Sequence, residues 1–354
     1  MTFPGRIGFV TYPESRWRQH LLRAKYLKMR LERNVYPDVY SLPLFLTDRF
    51  DLVPMGSRLD GAHYDLLFSE LNGTQEQIAY IHDLVRSRVA PLAVVPGPPE
   101  ILSLTLTNEK VRLIREILRE CRHVLAYSED IAAFFDGLAG ERRSLVIPWP
   151  FDYDRTRALG KSPVKAGNAS VRVLVNVPLR FSGPASTSPL VMKAVLQEVL
   201  EKLAGADRDR VSFHTFAYSE EDGEEYLSRG VAEAFPIRLE RKRGYSAFLR
   251  FVSGCSAVMN YTPNGILGRL AFAAAALDVP GLFSDNVPLH RALYPRSSLP
   301  PFDMRGLRDA ATSLISGALR GEVPARFLPD VPTAQHTGGF AGNASRFKAL
   351  LDCG

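Results

Sequence analysis

The chain has 354 residues, 46% hydrophobic and 23% charged. That is the balance of a folded globular protein, and it excludes disordered, collagen-like and coiled-coil classes. At roughly 100–200 residues per domain the length implies about two domains, and the net charge of +6 is too scattered to signal nucleic acid by itself.

Three cysteines, Cys121, Cys255 and Cys353, form no CxxC or Cys/His spacing. They build no disulfide framework and point to a reducing, cytoplasmic compartment. The segment MTFPGRIGFVTYPESRW lacks the apolar run and small-residue cleavage site of a signal peptide. No stretch reaches the roughly 20 apolar residues that span a bilayer. The most apolar one, AFAAAALDVPGLF, is interrupted by Asp278 and Pro280.

In chain order, RIGFVTY reads as a strand and SRWRQHLLRAKYLKMRLERN as a basic amphipathic helix. VYPDVYSLPLF and YDLLFSE read as strands, TQEQIAYIHDLVRSR as a helix and PLAVVPG as a strand ended by Pro and Gly. Helix NEKVRLIREILREC, strand RHVLAYSE, helix DIAAFFDGLAG and strand SLVIPWPFD follow. Residues 157–170, RALGKSPVKAGNAS, lack periodicity and read as a linker.

The pattern then restarts with strand VRVLVNVP, helix PLVMKAVLQEVLEKLAG and strand RVSFHTFAY. An acidic helix SEEDGEEYLSRGVAEA, short PIRLERK, helix YSAFLRFVSGC, strand SAVMNY, helix LGRLAFAAAALD and strand VPGLFSD come next, and the tail is helical. Strands alternating with helices specify an α/β fold with mainly parallel sheets. Continuous apolar strands such as LAVVP belong in sheets covered on both faces. The domain expectation is residues 1–156, a linker at 157–170, a second domain at 171–330, and a tail at 331–354 that packs back on the first domain.

Ligands in such folds sit beyond the carboxyl ends of strands, and two such domains make a cleft. The basic excess suits an anionic ligand such as a nucleotide diphosphate. VTYPESRW follows the first strand where GxGxxG would be required, and GxxxxGK[ST], HExxH and GxSxG are also absent. Classical NAD dehydrogenases, P-loop NTPases, zinc hydrolases and α/β-hydrolases are therefore not expected.

The ordered pieces SVRVLVNVPLRFSG, RVSFHTFAY and RGYSAFLRFVSGCSAVMNYTPNGILGRLAFAAAALDVPGLFSDN resemble the nucleotide-sugar domain of GT-B glycosyltransferases, family-4-like. HVLAYSEDIAAFF with RRSLVIPWPFD is similar to the segment leading to that family's inter-domain linker. The resemblance implies two Rossmann-like domains facing across a cleft, with the acceptor against the first. It implies transfer of a sugar from a nucleotide-diphosphate sugar, UDP being the expected nucleotide, to an acceptor hydroxyl without a metal or other cofactor. Retaining members often carry Glu-x7-Glu where this chain has Gly265 and Ala273, so the motif is degenerate and retention or inversion stays open. The alternative is a glycosyltransferase-like protein that binds nucleotide or sugar, or a protein partner, without turnover.

By the same resemblance, Arg180 follows the first strand of the second half, where the family's phosphate-binding basic residue lies. Arg269 opens GRLAFAAAA, where helix N-terminus and guanidinium together suit a diphosphate; phage DNA glucosyltransferases place an arginine similarly. Asn264 and Gly265 offer backbone N–H groups to a sugar or phosphate, although Pro-Asn-Gly makes a turn in any case. Lys242, flanked by Arg241 and Arg243, and Tyr245 are donor-site candidates, against a solvated charge run. An inverting reaction needs one carboxylate as general base. Glu70 is the choice, ahead of Glu14, Glu100 and Glu129; the bland alternative is a cap. His214 reads as a packed histidine more readily than a catalytic one. The basic helix within residues 15–34 suits either a buried stripe with a solvated face, an anionic membrane surface at the inner leaflet, or a polyanion. The acceptor class is a glycan, lipid-linked sugar or other polyol.

Overall fold

Strands and helices alternate through the computed structural model, which describes residues 6–11, 50–57, 59, 64–71, 74–96, 107–147, 153–160, 170–175, 187–216, 237–240, 244–261 and 269–330. The chain divides into two compact units, residues 1–152 with 338–354, and residues 153–337.

The first unit holds β1 (Ile7–Thr11), β2 (Phe50–Pro54), β3 (Leu66–Leu71), β4 (Leu92–Pro96), β5 (His123–Ala126) and β6 (Ser144–Val146). They form one parallel sheet in the order β2-β1-β3-β4-β5-β6. Every residue of β4, LAVVP, is buried, as a strand covered on both faces must be. Helices α1 (Gln75–Ser87), α2 (Asn108–Glu120) and α3 (Glu129–Ala139) start where a hydroxyl can satisfy an orphan N–H. Thr74, Thr107 and Ser128 accept from Gln77, Lys110 and Ile131 respectively. Their apolar stripes, among them Ile78, Ile81, Ile114, Ile117 and Phe135, close the core over β3 and β4.

β2 was not legible in the sequence. FDLVP is short and carries Asp51 and Pro54, both poor strand formers, yet it lies at the outer end of the described sheet, where proline is tolerated. Asp51 there receives the Arg6 guanidinium at 2.8 Å. The expected strand VYPDVYSLPLF, the basic helix and the acidic helix all lie outside the described residues.

The second unit begins with α4 (Tyr153–Gly160), in a stretch whose last four residues the sequence assigned to the linker. Tertiary packing makes it helical: the Tyr153 ring lies 4.5 Å from Phe272, and a Cβ on Gly160 would fall 2.2 Å from Leu277. Strands β7 (Val171–Val175), β8 (Val211–Phe216), β9 (Ile237–Glu240), β10 (Ala257–Asn260), β11 (Gly281–Ser284) and β12 (Ser298–Leu299) follow. They form a parallel sheet in the order β12-β11-β10-β7-β8-β9. Counted from the unit's first strand this is the 3-2-1-4-5-6 order of a doubly wound fold. Helices α5 (Thr187–Lys202), α6 (Tyr245–Ser253), α7 (Arg269–Ala276), α8 (Pro288–Leu293) and α9 (Met304–Arg320) accompany it. One face of the sheet packs under α5 and α9, with Val173, Met192, Leu196, Leu314 and Ile315 in the core. The two-residue β12 and six-residue α8 were too short to carry a period.

Candidate functional site

A doubly wound sheet binds ligands where its strand order reverses, because the connections there diverge and leave a crevice. In the second unit the reversal lies between β7 and β10, adjacent in register at Val175 and Met259. Beyond Val175 the chain enters 176–186, which contains Arg180; beyond Tyr261 it enters 262–268, which contains Asn264 and Gly265. Arg180, Asn264, Gly265 and Lys242 lie outside the described residues. Arg269 is the first described residue of α7, and the residues that precede it, 262–268, lie outside the described residues. Tyr245 is the first residue of α6, half-buried, behind Gly244, which supplies no side-chain cap.

The body of α7 is sealed. Residues Leu270 to Ala276 are buried, and Ala273, at the second carboxylate position of the degenerate motif, is 2% exposed. The helix ends against α4: Arg157 Nε donates to the Ala276 carbonyl at 3.1 Å, and its NH2 reaches both Asp278 carboxylate oxygens at 3.0 Å. Asp278 itself adopts φ +55°. The guanidinium takes up an orphan helix carbonyl and an anion together at the negative end of the helix.

Around the same strand ends are polar groups that the sequence did not single out. Asn260, the last residue of β10, is 1% exposed. The next residue, Tyr261, donates its hydroxyl to the Pro300 carbonyl and accepts from the Asp303 N–H at 3.1 Å. Asp303 in turn caps α9, accepting from Gly306 N–H at 2.8 Å. His290 on α8 is fully buried beside Phe283. Its Nδ1–H donates to the Ser284 carbonyl at 2.9 Å, and Nε2 finds no hydrogen-bond partner among the described residues. Burial drives its pKa down to about 4, so it is neutral at pH 7. The one available signal for Tyr261 was a tyrosine closing a strand just before a turn.

His214 is a packed histidine. Its Nδ1 lies 2.8 Å from Glu240 and its Nε2 3.0 Å from Ser212, with the ring edge-on to Phe251. Burial lowers its pKa, against the raising effect of Glu240.

In the first unit the order reverses between β1 and β3, paired at Val10 and Ser69. Glu70 is the penultimate residue of β3 and half-buried, so it stands at the carboxyl edge beside this reversal. Its backbone carbonyl accepts from Nε2 of Gln77, a buried residue of α1, at 2.5 Å, which ties the start of α1 to the strand end. Glu129 opens α3 in an exposed position where a carboxylate favours the helix dipole, a capping environment. Glu14 and Glu100 lie outside the described residues. None of the described helices is long and apolar enough to cross a membrane.

No protein-family model and no curated protein matches the sequence. Solved structures do match, over nearly the whole chain. A trehalose-6-phosphate synthase from Burkholderia multivorans has TM-score 0.62 at 16% identity, covering 95% of this chain and 75% of its own. Sucrose-phosphate synthase from Thermosynechococcus elongatus has TM-score 0.64 at 11% identity, covering 98% of each chain. HepE from Anabaena, solved with UDP and glucose, has TM-score 0.61 at 13% identity, covering 99% of this chain and 100% of its own. These likenesses, with two parallel six-stranded sheets of doubly wound type, show the two-domain GT-B fold of glycosyltransferases.

Proposed function

We propose that the protein transfers a sugar from a nucleotide-diphosphate sugar, UDP-linked, to a hydroxyl of a glycan, lipid-linked or other polyol acceptor. The observation that carries this is the match of nearly the whole chain to GT-B proteins, among them HepE solved with UDP and glucose and sucrose-phosphate synthase. In this reading the carboxyl edge of the second sheet holds the donor. Arg180 and Arg269 take the diphosphate charge, Asn264 and Gly265 present N–H groups, and Lys242 and Tyr245 border the nucleotide. The positive end of α7 stabilises the leaving diphosphate, which removes the need for a metal. Glu70, at the carboxyl edge of β3, is the base that takes the acceptor proton.

The experiment is a thermal-shift and turnover panel with UDP, UDP-glucose, GDP-mannose and dTDP-glucose, with and without EDTA. A ligand at a hundred times its Kd stabilises by about 2.7 kcal/mol, so a bound donor raises Tm by several degrees. The shift disappears in Arg269→Ala, and EDTA leaves turnover unchanged. An equal shift in Arg269→Ala overturns the diphosphate assignment.

Ala273 favours a second reading, a GT-B protein that binds its nucleotide without turnover. No carboxylate exists along Arg269–Ala276 to meet the donor sugar. A donor that raises Tm but is neither hydrolysed nor transferred selects that reading.

A further inference from the structure

Phe302 stands at the tip of the Pro300–Asp303 turn between β12 and α9. Its φ is +70°, in the left-handed region that a bulky aromatic residue rarely adopts. The side chain is 71% exposed, so burial does not offset that backbone conformation. The turn is held from several sides. The Tyr261 hydroxyl bonds both Pro300 and Asp303, Asp303 N–H also approaches the Pro300 carbonyl at 3.2 Å, and Met304 N–H donates to the Phe302 carbonyl at 2.9 Å. Glycine would take this backbone without strain, yet the position carries a phenyl ring and presents it to solvent. Strain retained at an over-determined turn points to a use for the side chain.

The position says which use. β12 runs parallel to β11 with Ser284 opposite Leu299, so the turn leaves the carboxyl edge of the sheet. Through Tyr261 it hangs from the end of β10, the strand that borders the reversal. The exposed apolar side chains along the turn are the Phe302 ring, Met304 and the small Pro300 ring, with Pro301 half-buried. The Phe302 ring matches one sugar ring, and the patch falls far short of a protein–protein interface. A pyranose offers a face of polarised C–H groups, complementary to the negative face of an aromatic ring, while its hydroxyls stay in water.

Resting on the glycosyltransferase reading above, we propose that Phe302 is a stacking platform for a pyranose ring, a saccharide subsite on the carboxyl edge of the second unit. The ring belongs either to the donor's sugar or to an acceptor glycan. The test is saturation-transfer NMR with maltose, UDP-glucose and UDP on the full chain, compared with Phe302→Tyr and Phe302→Gly. Phe302→Tyr keeps the platform and binds as the parent does. Phe302→Gly melts no lower than the parent, because glycine accepts the backbone, but binds the sugar roughly tenfold more weakly. A loss confined to maltose identifies an acceptor subsite. A loss of UDP-glucose affinity with UDP unchanged identifies the donor sugar. Unchanged binding of both sugars by Phe302→Gly, or no saturation transfer from the parent to either, overturns the proposal. UDP binding by the parent reports separately on the donor reading, so the two fail distinguishably.

Discussion

The link between Arg157 and the end of α7 can be tested by a double-mutant cycle with Asp278. Arg157→Ala removes two things: the Nε–Ala276 hydrogen bond and the bifurcated pair with Asp278. The side chains are 41% and 64% exposed, so solvent screening holds the ion pair to about 0.2–1 kcal/mol. The hydrogen bond from a charged donor contributes about 1 kcal/mol after the same discount. Arg157→Ala should therefore cost about 1–2 kcal/mol. Asp278→Gly loses the same ion pair but relieves φ +55° at a non-glycine residue, a gain of roughly 0.5–1 kcal/mol. The two contributions nearly cancel, so Asp278→Gly is close to neutral in the parent. In the Arg157→Ala background only the relief remains, and the same change becomes stabilising. Urea titrations of the four proteins, with thermal melts alongside, read the cycle. For a unit of this size about 1 kcal/mol moves Tm by about 2–4 °C. A Tm for Arg157→Ala within a degree of the parent refutes the capping role. An Asp278→Gly effect of equal size in both backgrounds refutes the coupling.

Tyr261→Phe removes a hydroxyl that serves two backbone groups, at a cost of about 1–3 kcal/mol; calorimetry should show Tm lower by several degrees, and an unchanged Tm would contradict the hydrogen bonding described. His290 is neutral when folded with a pKa near 4, against 6.5 unfolded. Below pH 6.5 the unfolded chain binds the extra proton, so stability falls as pH drops from 6.5 toward 4, by on the order of 3 kcal/mol. His290→Leu should be less stable than the parent at pH 7 but lose less between pH 7 and 4.5; equal losses in denaturant titrations at the two pH values would rule the residue out. Glu70→Gln should lower kcat about 10²–10⁴-fold with little change in KM, as removal of a general base does. Retention of the parent kcat would exclude Glu70 as the base.

The strands that reappear as read, LAVVP and VRVLV among them, are continuous apolar runs, and a run buried on both faces needs no distant partner to be recognised. The helices with hydroxyl caps were legible for a local reason, since Thr107 satisfies Lys110 three residues away. Short elements escaped. FDLVP and Ser298–Leu299 are strands because neighbouring strands complete their hydrogen bonds, with Gly8 opposite Asp51 and Phe283 opposite Ser298. For the site, the strand-end position of Glu70 was readable, because it is placed by its position in an element. Tyr261 was not, because its partners Pro300 and Asp303 are 39 and 42 residues away.

Length, composition and charge alone established a basic globular chain of about two domains, and the alternation of apolar runs with helical periods established two α/β halves. Those are local properties, since side-chain periodicity and caps act within a few residues. Tertiary structure decided the order of the strands, and with it where each sheet reverses. It also decided that His290 is sealed and neutral, that 157–160 continue a helix, and that a phenylalanine is held at φ +70° facing solvent. Each depends on contacts between residues far apart in the chain, as Arg157 with Asp278 across 121 positions shows most plainly.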